Sequence, residues 1–206
     1  MKIHIVDYGM GNIFSVQKKL LQENITVTVS SEPKDILEAD KIILLGVGHF
    51  NQAMDNLNDL NLIEPLNDFV LIKKKPVLGI CLGMQLMAMS SEEGNGMNHG
   101  LGWVDASVKK FQTVDFKKFK IPHMGWNNVN SLKNSELMKN IYPEDEFYFV
   151  HSYFMEPNDR KLILNETLYI HKFCSGIEKD NIFGVQYHPE KSHDAGQELL
   201  KNFISI

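Results

Sequence analysis

Short apolar stretches alternate with amphipathic ones through the first half of the chain, and this alternation is the strongest constraint on its fold. The apolar stretches have the length and the β-branched residues of buried strands, whereas the others repeat apolar residues at helical spacing. The pattern predicts strands at 2–6, 25–29, 41–45 and 76–80, and helices at 13–22, 36–39, 52–60 and 63–72. Strands that alternate with helices in this way form a mostly parallel sheet flanked by helices, so we predict an α/β fold.

The second half of the chain is less regular. Strand-like stretches lie at 147–150, 169–173 and 182–187, and a final amphipathic helix is predicted at 194–203. No internal repeat, low-complexity segment or linker divides the sequence, so we expect one domain over 1–206. Because open α/β sheets bind their ligands at the carboxyl ends of the strands, functional motifs are expected directly after strands.

The composition argues against several classes of function. A formal net charge of −5 provides no clustered positive field for nucleic acid, and the one dense basic run, 73–75, is expected in a solvated loop. No stretch approaches the roughly 20 apolar residues of a membrane span. Cys81 and Cys174 are far apart and lack metal-ligand spacing, so we expect neither a disulfide nor a metal site. We expect a cytoplasmic protein, in which a free thiol persists.

A cysteine between two glycines follows the predicted strand 76–80. The stretch Gly-Ile-Cys-Leu-Gly at 79–83 has the pattern of a nucleophile elbow with a thiol as the reactive group. Such a strand-to-helix turn is so sharp that glycine is required at the flanking positions, and the following helix directs unpaired amides at the sulfur. The alternative is a buried structural cysteine. The motif makes Cys81 the candidate nucleophile, whereas Cys174 is expected in the core or in a turn.

A His-Pro-Glu tripeptide at 188–190 is the candidate for the base and its orienting acid. The proline favours an extended backbone at His188, and in an extended segment residues i and i+2 project to the same side, roughly 6.6 Å apart. Glu190 is thus placed to hold the imidazole while the other ring nitrogen faces a substrate. A surface turn is the alternative for this tripeptide alone; the cysteine motif in the same chain favours a Cys81–His188–Glu190 triad.

Two glycines, Gly46 and Gly48, follow the predicted strand 41–45. Glycines let backbone amides approach a substrate closely, and such an amide, paired with that of Leu82, could hold the oxygen of a tetrahedral intermediate. A tight turn without further function is the alternative. The glycine-rich loop at 8–12 lacks the third glycine and the acidic partner of a dinucleotide site, and we predict no cofactor.

Taken together, the sequence motifs resemble the class I glutamine amidotransferases, whose Cys-His-Glu triad has the same order. The matching blocks are Asp-Tyr-Gly-Met-Gly-Asn at 7–12, Gly-Val-Gly at 46–48, Gly-Ile-Cys-Leu-Gly-Met-Gln-Leu at 79–86, Pro-His-Met-Gly-Trp-Asn at 122–127, Phe-Val-His-Ser-Tyr at 149–153 and Gly-Val-Gln-Tyr-His-Pro-Glu-Lys-Ser at 184–192. Their order is similar to that in the glutaminase subunits of imidazole glycerol phosphate synthases, and the block at 122–127 narrows the resemblance to that branch.

The resemblance implies a single flavodoxin-like glutamine amidotransferase type 1 domain that hydrolyses glutamine to glutamate and ammonia. It implies a heterodimer in which the ammonia passes through a tunnel into a (β/α)8-barrel synthase subunit. That subunit would make imidazole glycerol phosphate and aminoimidazole carboxamide ribonucleotide in histidine biosynthesis. Neither nucleic acid nor membrane is an expected partner.

The resemblance also implies roles for individual residues. Cys81 would be the nucleophile, His188 the general base and acid, and Glu190 the residue that orients His188. The oxyanion amides would come from Gly48 and Leu82. The positions that match glutamine-binding residues are Gly46, Gln85, His151, Ser152 and Tyr153. The positions that match the synthase-facing surface are Asn12, Met124, Trp126 and Lys191, with core packing as the alternative for the methionine and the tryptophan.

Two residues depart from the family pattern. Leu45 precedes the Gly-Val-Gly turn where the family usually has proline, and His49 follows it where a small residue is common. Because proline restricts the backbone, leucine is expected to leave this turn more mobile while the amide donors are retained. The divergence leaves open a paralogous subunit that supplies ammonia for sugar amidation in surface-glycan biosynthesis. A cysteine peptidase or esterase and a non-enzymatic flavodoxin-like module are further alternatives, disfavoured by the full set of blocks and by the complete triad.

Overall fold

The helices are short and amphipathic, and they lie between strands as the sequence pattern predicts. A computed structural model describes residues 1–23, 25–94, 97–115 and 117–206. Its α-helices are α1 (Ile13–Leu20), α2 (Pro33–Glu38), α3 (Phe50–Asp59), α4 (Ile63–Asn67), α5 (Leu82–Leu86) and α6 (His193–Ser205). A π-helical turn, Asp68–Ile72, continues α4, and 3-10 turns lie at Glu136–Met138, Arg160–Leu162 and Pro189–Lys191. No helix in these ranges is both long and apolar enough to cross a membrane.

The strands fall into a regular first half and a hairpin-rich second half. They are β1 (Lys2–Val6), β2 (Thr26–Ser30), β3 (Lys41–Gly46), β4 (Val77–Cys81), β5 (Ala88–Ser91), β6 (Asn98–His99), β7 (Val104–Lys110), β8 (His123–Asn128), β9 (Asn130–Ser131), β10 (Glu146–His151), β11 (Tyr153–Pro157), β12 (Ile163–Leu168), β13 (Lys172–Lys179) and β14 (Ile182–Val185). The first four coincide with the predicted strands to within one residue at each end.

One large sheet organises the described part of the chain, with strand order β2-β1-β3-β4-β14-β13-β11-β7-β5-β6. The first five strands in this order are parallel. From β14 to β7 the pairs are antiparallel, and β12 branches from β13. A separate antiparallel pair joins β8 to β10. The predicted α/β fold is confirmed; the parallel half comes from the alternating elements, and the hairpins of the second half make the sheet mixed.

Apolar side chains cover both faces of the parallel half, which explains its continuous hydrophobic runs. Every residue of β3 is buried. On one face, Ile43 and Leu45 pack in a cluster with residues of α1 and α6. On the other face, Ile42 and Leu44 pack with residues of α3 and α4. This two-sided burial holds the carboxyl ends of β3, β4 and β14 in fixed register, and the predicted site motifs follow these ends.

The predicted strand at 169–173 is wrong in its first half. β12 ends at Leu168 and β13 begins at Lys172, so Tyr169 lies in the turn between them. The Tyr169 ring stacks on the ring of His123 with centroids 4.0 Å apart, and its hydroxyl donates to the carbonyl oxygen of Lys120. The apolar character that favoured a strand serves this side-chain packing instead. The predicted strand at 182–187 ends two residues early, at Val185.

Candidate active site

Cys81 lies at the end of β4, where the strand turns directly into α5. Its backbone has φ 53° and ψ −110°, a conformation that a non-glycine residue adopts only at an energetic cost. A Cβ on Gly83 would overlap the carbonyl oxygen of Leu44, and a Cβ on Gly79 would lie 2.7 Å from the backbone nitrogen of Met84. The sharp turn therefore requires both flanking glycines, as the sequence indicates.

The strand β14 brings His188 to the same edge of the sheet as Cys81. In the parallel pair of β14 and β4, Val185 is in register with Ile80, so the residues after each strand emerge side by side. His188 has an extended backbone, with φ −105° and ψ 92°, and a 3-10 turn follows it. Nδ1 of His188 lies 2.8 Å from Oε1 of Glu190. His188 itself is extended, as expected, but Pro189–Lys191 form a 3-10 turn. This turn, rather than the predicted extended segment, puts the Glu190 carboxylate beside the imidazole.

Backbone hydrogen bonds hold His188 on both sides. Its N–H donates to the carbonyl oxygen of Tyr148 at 2.9 Å, and its carbonyl oxygen accepts from the Ser192 hydroxyl at 2.6 Å. The Ser192 hydroxyl in turn accepts from the backbone N–H of Tyr148 at 3.0 Å. The turn that carries the imidazole is therefore tied to β10, which limits the movement of the ring.

The charges around His188 favour its protonated form. Burial lowers the pKa of His188, but the Cys81 sulfur and the Glu190 carboxylate raise it by more, so the pKa lies above its ordinary value. Nε2 of His188 and Oε2 of Glu190 are buried and have no hydrogen-bond partner within the described ranges. Since the carboxylate engages Nδ1, Nε2 is the ring atom suited to proton transfer.

A cavity of about 320 Å³ opens beside the thiol. This is the size of a small-molecule site. The predicted site residues that line it are Gly48, Cys81, Leu82, Gln85, His151, Ser152 and Tyr153, and the lining also includes Val47, Glu93, Pro122 and Val150. Within the residues that the structure describes, no group of three His, Cys, Asp or Glu side chains is arranged to hold a metal ion.

The two candidate oxyanion donors border this cavity. Gly48 has a φ of 121°, and a Cβ there would lie 2.7 Å from Cε of Met10. A larger residue would therefore strain the turn through its positive φ, and the Met10 methyl would have to move aside. Leu82 is the first residue of α5, and the first N–H groups of a helix have no acceptor within the helix. Gly48 lies between β3 and α3, and Leu82 begins α5. Neither backbone N–H is therefore needed for a hydrogen bond within a helix or strand.

Gly46 lies against the nucleophile strand and is absent from the cavity lining. It is in register with Cys81 in the β3–β4 pair, and a Cβ on Gly46 would overlap the hydroxyl of Tyr8. Burial raises the pKa of Tyr8, and the neighbouring Cys81 adds to the effect, so the phenol stays protonated. Gly46 therefore provides space for the packing around the elbow.

Two glutamine side chains, the buried amide pair, connect the sulfur to the cavity wall. Nε2 of Gln186 donates to Sγ of Cys81 at 3.6 Å, and Oε1 of Gln186 accepts from Nε2 of Gln85 at 3.0 Å. The same Nε2 of Gln85 donates to the carbonyl oxygen of Tyr153 at 2.9 Å. An N–H donor beside the sulfur stabilises a thiolate. Sequence reasoning gave Gln186 no role, because its position behind the sulfur depends on the pairing of β14 with β4.

Glu93 is a second residue that sequence reasoning missed. It lines the cavity, and one of its carboxylate oxygens, Oε2, accepts from the backbone N–H of Phe50 at 2.9 Å. Phe50 is the first residue of α3, directly after the oxyanion turn. A carboxylate in the cavity is suited to a ligand ammonium group. Glu93 follows β5 in a stretch without a recognisable motif, so no sequence signal identified it.

The sequence pattern of the class I glutamine amidotransferase family matches residues 4–206 of this chain, nearly its whole length. The chain belongs to this family. Solved structures agree on the fold: a glutamine amidotransferase superposes with a TM-score of 0.76 at 12% identity, covering 98% of this chain and 97% of the other. PurLQS from Thermotoga maritima gives a TM-score of 0.73 at 13% identity, covering 99% of this chain and 97% of the other. At such identities the likeness supports the fold alone.

Relatives with higher identity to this amidotransferase are named as HisH subunits of imidazole glycerol phosphate synthase. "Imidazole glycerol phosphate synthase subunit HisH 2" of Methanococcus maripaludis is 47% identical over 202 residues, which covers 98% of each chain. A protein of the same name from Pseudomonas aeruginosa is 43% identical and covers 99% of each chain. "Imidazole glycerol phosphate synthase subunit HisH" of Pelagibacter ubique is 40% identical and covers both chains completely. The likeness to this branch therefore extends over the full chain.

The residues predicted to face a synthase lie at the surface of the amidotransferase. Met124 and Trp126 are 62% and 42% exposed, which excludes core packing for both. Trp126 stacks on His193 with centroids 4.7 Å apart, and Nζ of Lys191 lies 5.3 Å from the centre of the Tyr148 ring. Asn12, also predicted for this surface, is exposed and caps α1 by accepting from the backbone N–H of Ser15 at 3.3 Å.

Proposed function

We propose that this amidotransferase is the glutaminase subunit of an imidazole glycerol phosphate synthase and acts in histidine biosynthesis. The observation that carries the proposal is the strained Cys81 elbow beside the buried His188–Glu190 pair. It is supported by full-length identity of 40–47% to proteins named as that subunit. Residues 1–206 act as one glutamine amidotransferase type 1 domain in the cytoplasm, and the reaction requires no cofactor or metal.

In the first half of the reaction, the Cys81 thiolate attacks the side-chain carboxamide carbon of glutamine. The carbonyl oxygen becomes an oxyanion, which the backbone amides of Gly48 and Leu82 stabilise. Nε2 of His188 gives its proton to the carboxamide nitrogen, the carbon–nitrogen bond breaks, and ammonia leaves. The product is a glutamyl thioester on Cys81. Glu190 holds the ring in the orientation that this transfer needs.

In the second half, water hydrolyses the thioester. Nε2 of His188 accepts a proton from the water, whose oxygen adds to the thioester carbon. The carbon–sulfur bond then breaks, which releases glutamate and restores the thiolate and the imidazolium. Covalent catalysis divides one difficult hydrolysis into two easier steps. The raised pKa of His188 agrees with an imidazolium as the resting partner of a thiolate.

Glutamine occupies the cavity beside the thiol. The carboxylate of Glu93 binds its α-ammonium group, because opposite charges pair well in a partly closed site. Gln85 and residues 151–153 form the wall that orients the rest of the amino acid. Gly46, in register with Cys81, leaves room for the packing around the elbow. Ser152 and Tyr153 lie directly against the ligand.

The ammonia passes to a (β/α)8-barrel synthase subunit, with which this chain forms a heterodimer. The barrel uses it to produce imidazole glycerol phosphate and aminoimidazole carboxamide ribonucleotide. The exposed aromatic and basic residues around Trp126 and Lys191, together with Met124 and Asn12, form the docking surface. Neither a nucleic acid nor a membrane takes part.

The test uses the complex of this chain with the barrel subunit of its own organism. Cys81→Ala should abolish glutamine-dependent formation of imidazole glycerol phosphate but leave ammonium-dependent formation unchanged. Cys174→Ala is the matched control, because Cys174 is the other free thiol and lies in β13; it should retain both activities. Glutamine hydrolysis by Cys81→Ala would refute the assignment. Hydrolysis by a wild-type chain whose partner forms no imidazole glycerol phosphate would favour sugar amidation.

A further inference from the structure

A hydrogen-bond chain runs from β8 through the cavity wall towards the sulfur. In the antiparallel pair of β8 and β10, His123 lies directly opposite His151. Nδ1 of His123 is 3.0 Å from Nε2 of His151, and Nδ1 of His151 is 2.8 Å from the carbonyl oxygen of Tyr153. The buried amide pair donates to the same carbonyl oxygen and continues the chain to Cys81.

The two ends of this chain determine the direction of its hydrogen bonds. The carbonyl oxygen of Tyr153 can only accept, so His151 carries its proton on Nδ1 and accepts at Nε2. His123 then donates from Nδ1, and its Nε2 accepts from Nδ2 of Asn127 at 3.3 Å. Asn127 gives its other amide proton to the carbonyl oxygen of Leu168 at 3.0 Å. Every member is satisfied when both rings are neutral and protonated at Nδ1.

The surroundings keep the rings of His123 and His151 neutral, and they also fix the plane of the His123 ring. Burial lowers the pKa of His123 to about 4 and that of His151 to about 3. The ring of His123 is stacked between Phe149 and Tyr169, with centroid distances of 4.7 and 4.0 Å. The stacking directs its Nδ1 proton at His151.

We infer that His123 is a positioning residue for glutamine binding: its hydrogen bond to His151 fixes the 151–153 wall of the cavity. The inference rests on the proposed function. His123 does not line the cavity, whereas His151 and Tyr153 do. Without the donor, the buried Nε2 of His151 loses its partner, and the ring is no longer held in the orientation that supports the Tyr153 carbonyl.

The hydrogen-bond chain starts in β8, the strand that also carries part of the proposed docking surface. Met124 and Trp126 of β8 are exposed, whereas His123 is buried and Asn127 is half-buried. Docking on β8 and glutamine binding therefore involve the same strand. β8 pairs with the cavity wall at two positions, Met124 opposite Val150 and His123 opposite His151, and His123 adds a side-chain hydrogen bond to this wall.

Three substitutions separate the hydrogen bond from the packing. His123→Phe keeps a flat ring between Phe149 and Tyr169 but has no donor. His123→Asn places an amide N–H close to the position of Nδ1, whereas His123→Gln places one close to Nε2. His171→Phe is the control. His171 also lies among aromatic rings, those of Phe111 and Phe154, but it is exposed and is not part of the hydrogen-bond chain.

The experiment measures KM and kcat for glutamine, and ammonium-dependent synthase turnover, in the complex with the barrel subunit. His123→Phe and His123→Gln should raise KM for glutamine about tenfold, the usual effect of leaving a buried acceptor unpaired, with kcat changed less than KM. His123→Asn should restore KM to within about threefold of wild type, since it supplies the lost donor. Ammonium-dependent turnover should stay unchanged in all variants, and His171→Phe should behave as wild type.

A wild-type KM in His123→Phe, or an asparagine variant no better than the glutamine variant, would overturn the inference. A wild-type complex that does not hydrolyse glutamine would instead refute the proposed function. If the variants do not fold, nitrogen NMR of the wild-type rings decides. Neutral rings protonated at Nδ1 in both His123 and His151 support the inference, and an imidazolium or an Nε2-protonated ring in either contradicts it.

Discussion

Nδ1 of His188 and Oε1 of Glu190 are 2.8 Å apart, in side chains that are only 2% and 3% exposed. Water cannot compete for this hydrogen bond, so the carboxylate controls both the tautomer and the charge of the ring. The pair is local in sequence, whereas its approach to Cys81 depends on the parallel pairing of β14 with β4. The triad therefore combines a local tripeptide, His188 to Glu190, with one long-range strand contact.

Replacing the carboxylate should impair both protonation and orientation of His188. Glu190→Gln puts an amide N–H or a neutral oxygen against Nδ1, which removes a negative charge that raises the pKa of His188. We expect kcat for glutamine to fall on the order of 10²-fold or more. Ammonium-dependent turnover in the complex is the internal control and should be unaffected. A glutamine kcat within about twofold of wild type would show that the carboxylate is dispensable.

The amide of Gln186 should support the reactivity of the thiol. Gln186→Leu removes the N–H that donates to Sγ of Cys81 and the oxygen that accepts from Gln85. We expect kcat/KM for glutamine to fall about tenfold, because a donor to a thiolate is lost and the buried Gln85 amide loses one of its two acceptors. Alkylation of Cys81 by iodoacetamide should slow in parallel. Unchanged alkylation together with unchanged kcat/KM would contradict this role.

The glycine after the nucleophile should be essential for the fold of the elbow. In Gly83→Ala the new methyl group overlaps the carbonyl oxygen of Leu44, and backbone must move to accommodate it. We expect the free energy of unfolding to fall by about 3 kcal/mol. Gly102→Ala is the comparison: no atom lies within 4 Å of its Cβ, so only the φ of 70° is strained, at about 1 kcal/mol. Equal losses in denaturant titrations would contradict the steric explanation.

Mild acid should destabilise the fold through the two neutral histidines. An unfolded chain protonates histidine near pH 6.5, whereas the folded pKa is about 4 for His123 and about 3 for His151. Their contribution to stability is therefore complete above pH 6.5 and is lost as the pH falls towards these values. The raised pKa of His188 acts in the opposite direction, since its contribution is complete below pH 6.5 and is lost at higher pH.

Urea unfolding at a series of pH values measures this loss. His123→Phe should lose stability less steeply than wild type between about pH 6.5 and 4.5, by a slope of about one proton. His171→Phe serves as the comparison, because the ring of His171 is exposed and takes no part in the hydrogen bonds that His123 makes to His151 and Asn127. This variant should follow the wild-type slope. Identical slopes for all three proteins would show that His123 is not held neutral.

The parallel half of the fold and the residues of the proposed triad could be predicted from the sequence because their signals are local. Two-sided burial produces continuous apolar runs, and the elbow needs glycines beside Cys81. The i, i+2 spacing of His188 and Glu190 brings the two side chains together, although through a 3-10 turn rather than the predicted extended backbone. These features require no knowledge of which strands pair.

The second half was harder to predict because its strands carry polar residues in buried positions. In β12, Asn165 and Thr167 are buried and hydrogen-bonded to Ser175 of β13, a network that depends on the strand pairing itself. The roles proposed for Gln186, Glu93 and His123 depend on the same kind of long-range contact. None of these three has a local spacing that distinguishes it from an ordinary polar residue.

The central claim is that the Cys81 sulfur attacks glutamine, and covalent labelling tests it most directly. The complex with the barrel subunit is treated with 6-diazo-5-oxo-norleucine, a reactive glutamine analogue, and the labelled peptides are identified by mass spectrometry. The account predicts one label on Cys81, prevented by excess glutamine and strongly slowed in Glu190→Gln. Labelling of Cys174, or no label on Cys81 in a complex that is hydrolysing glutamine, would contradict it.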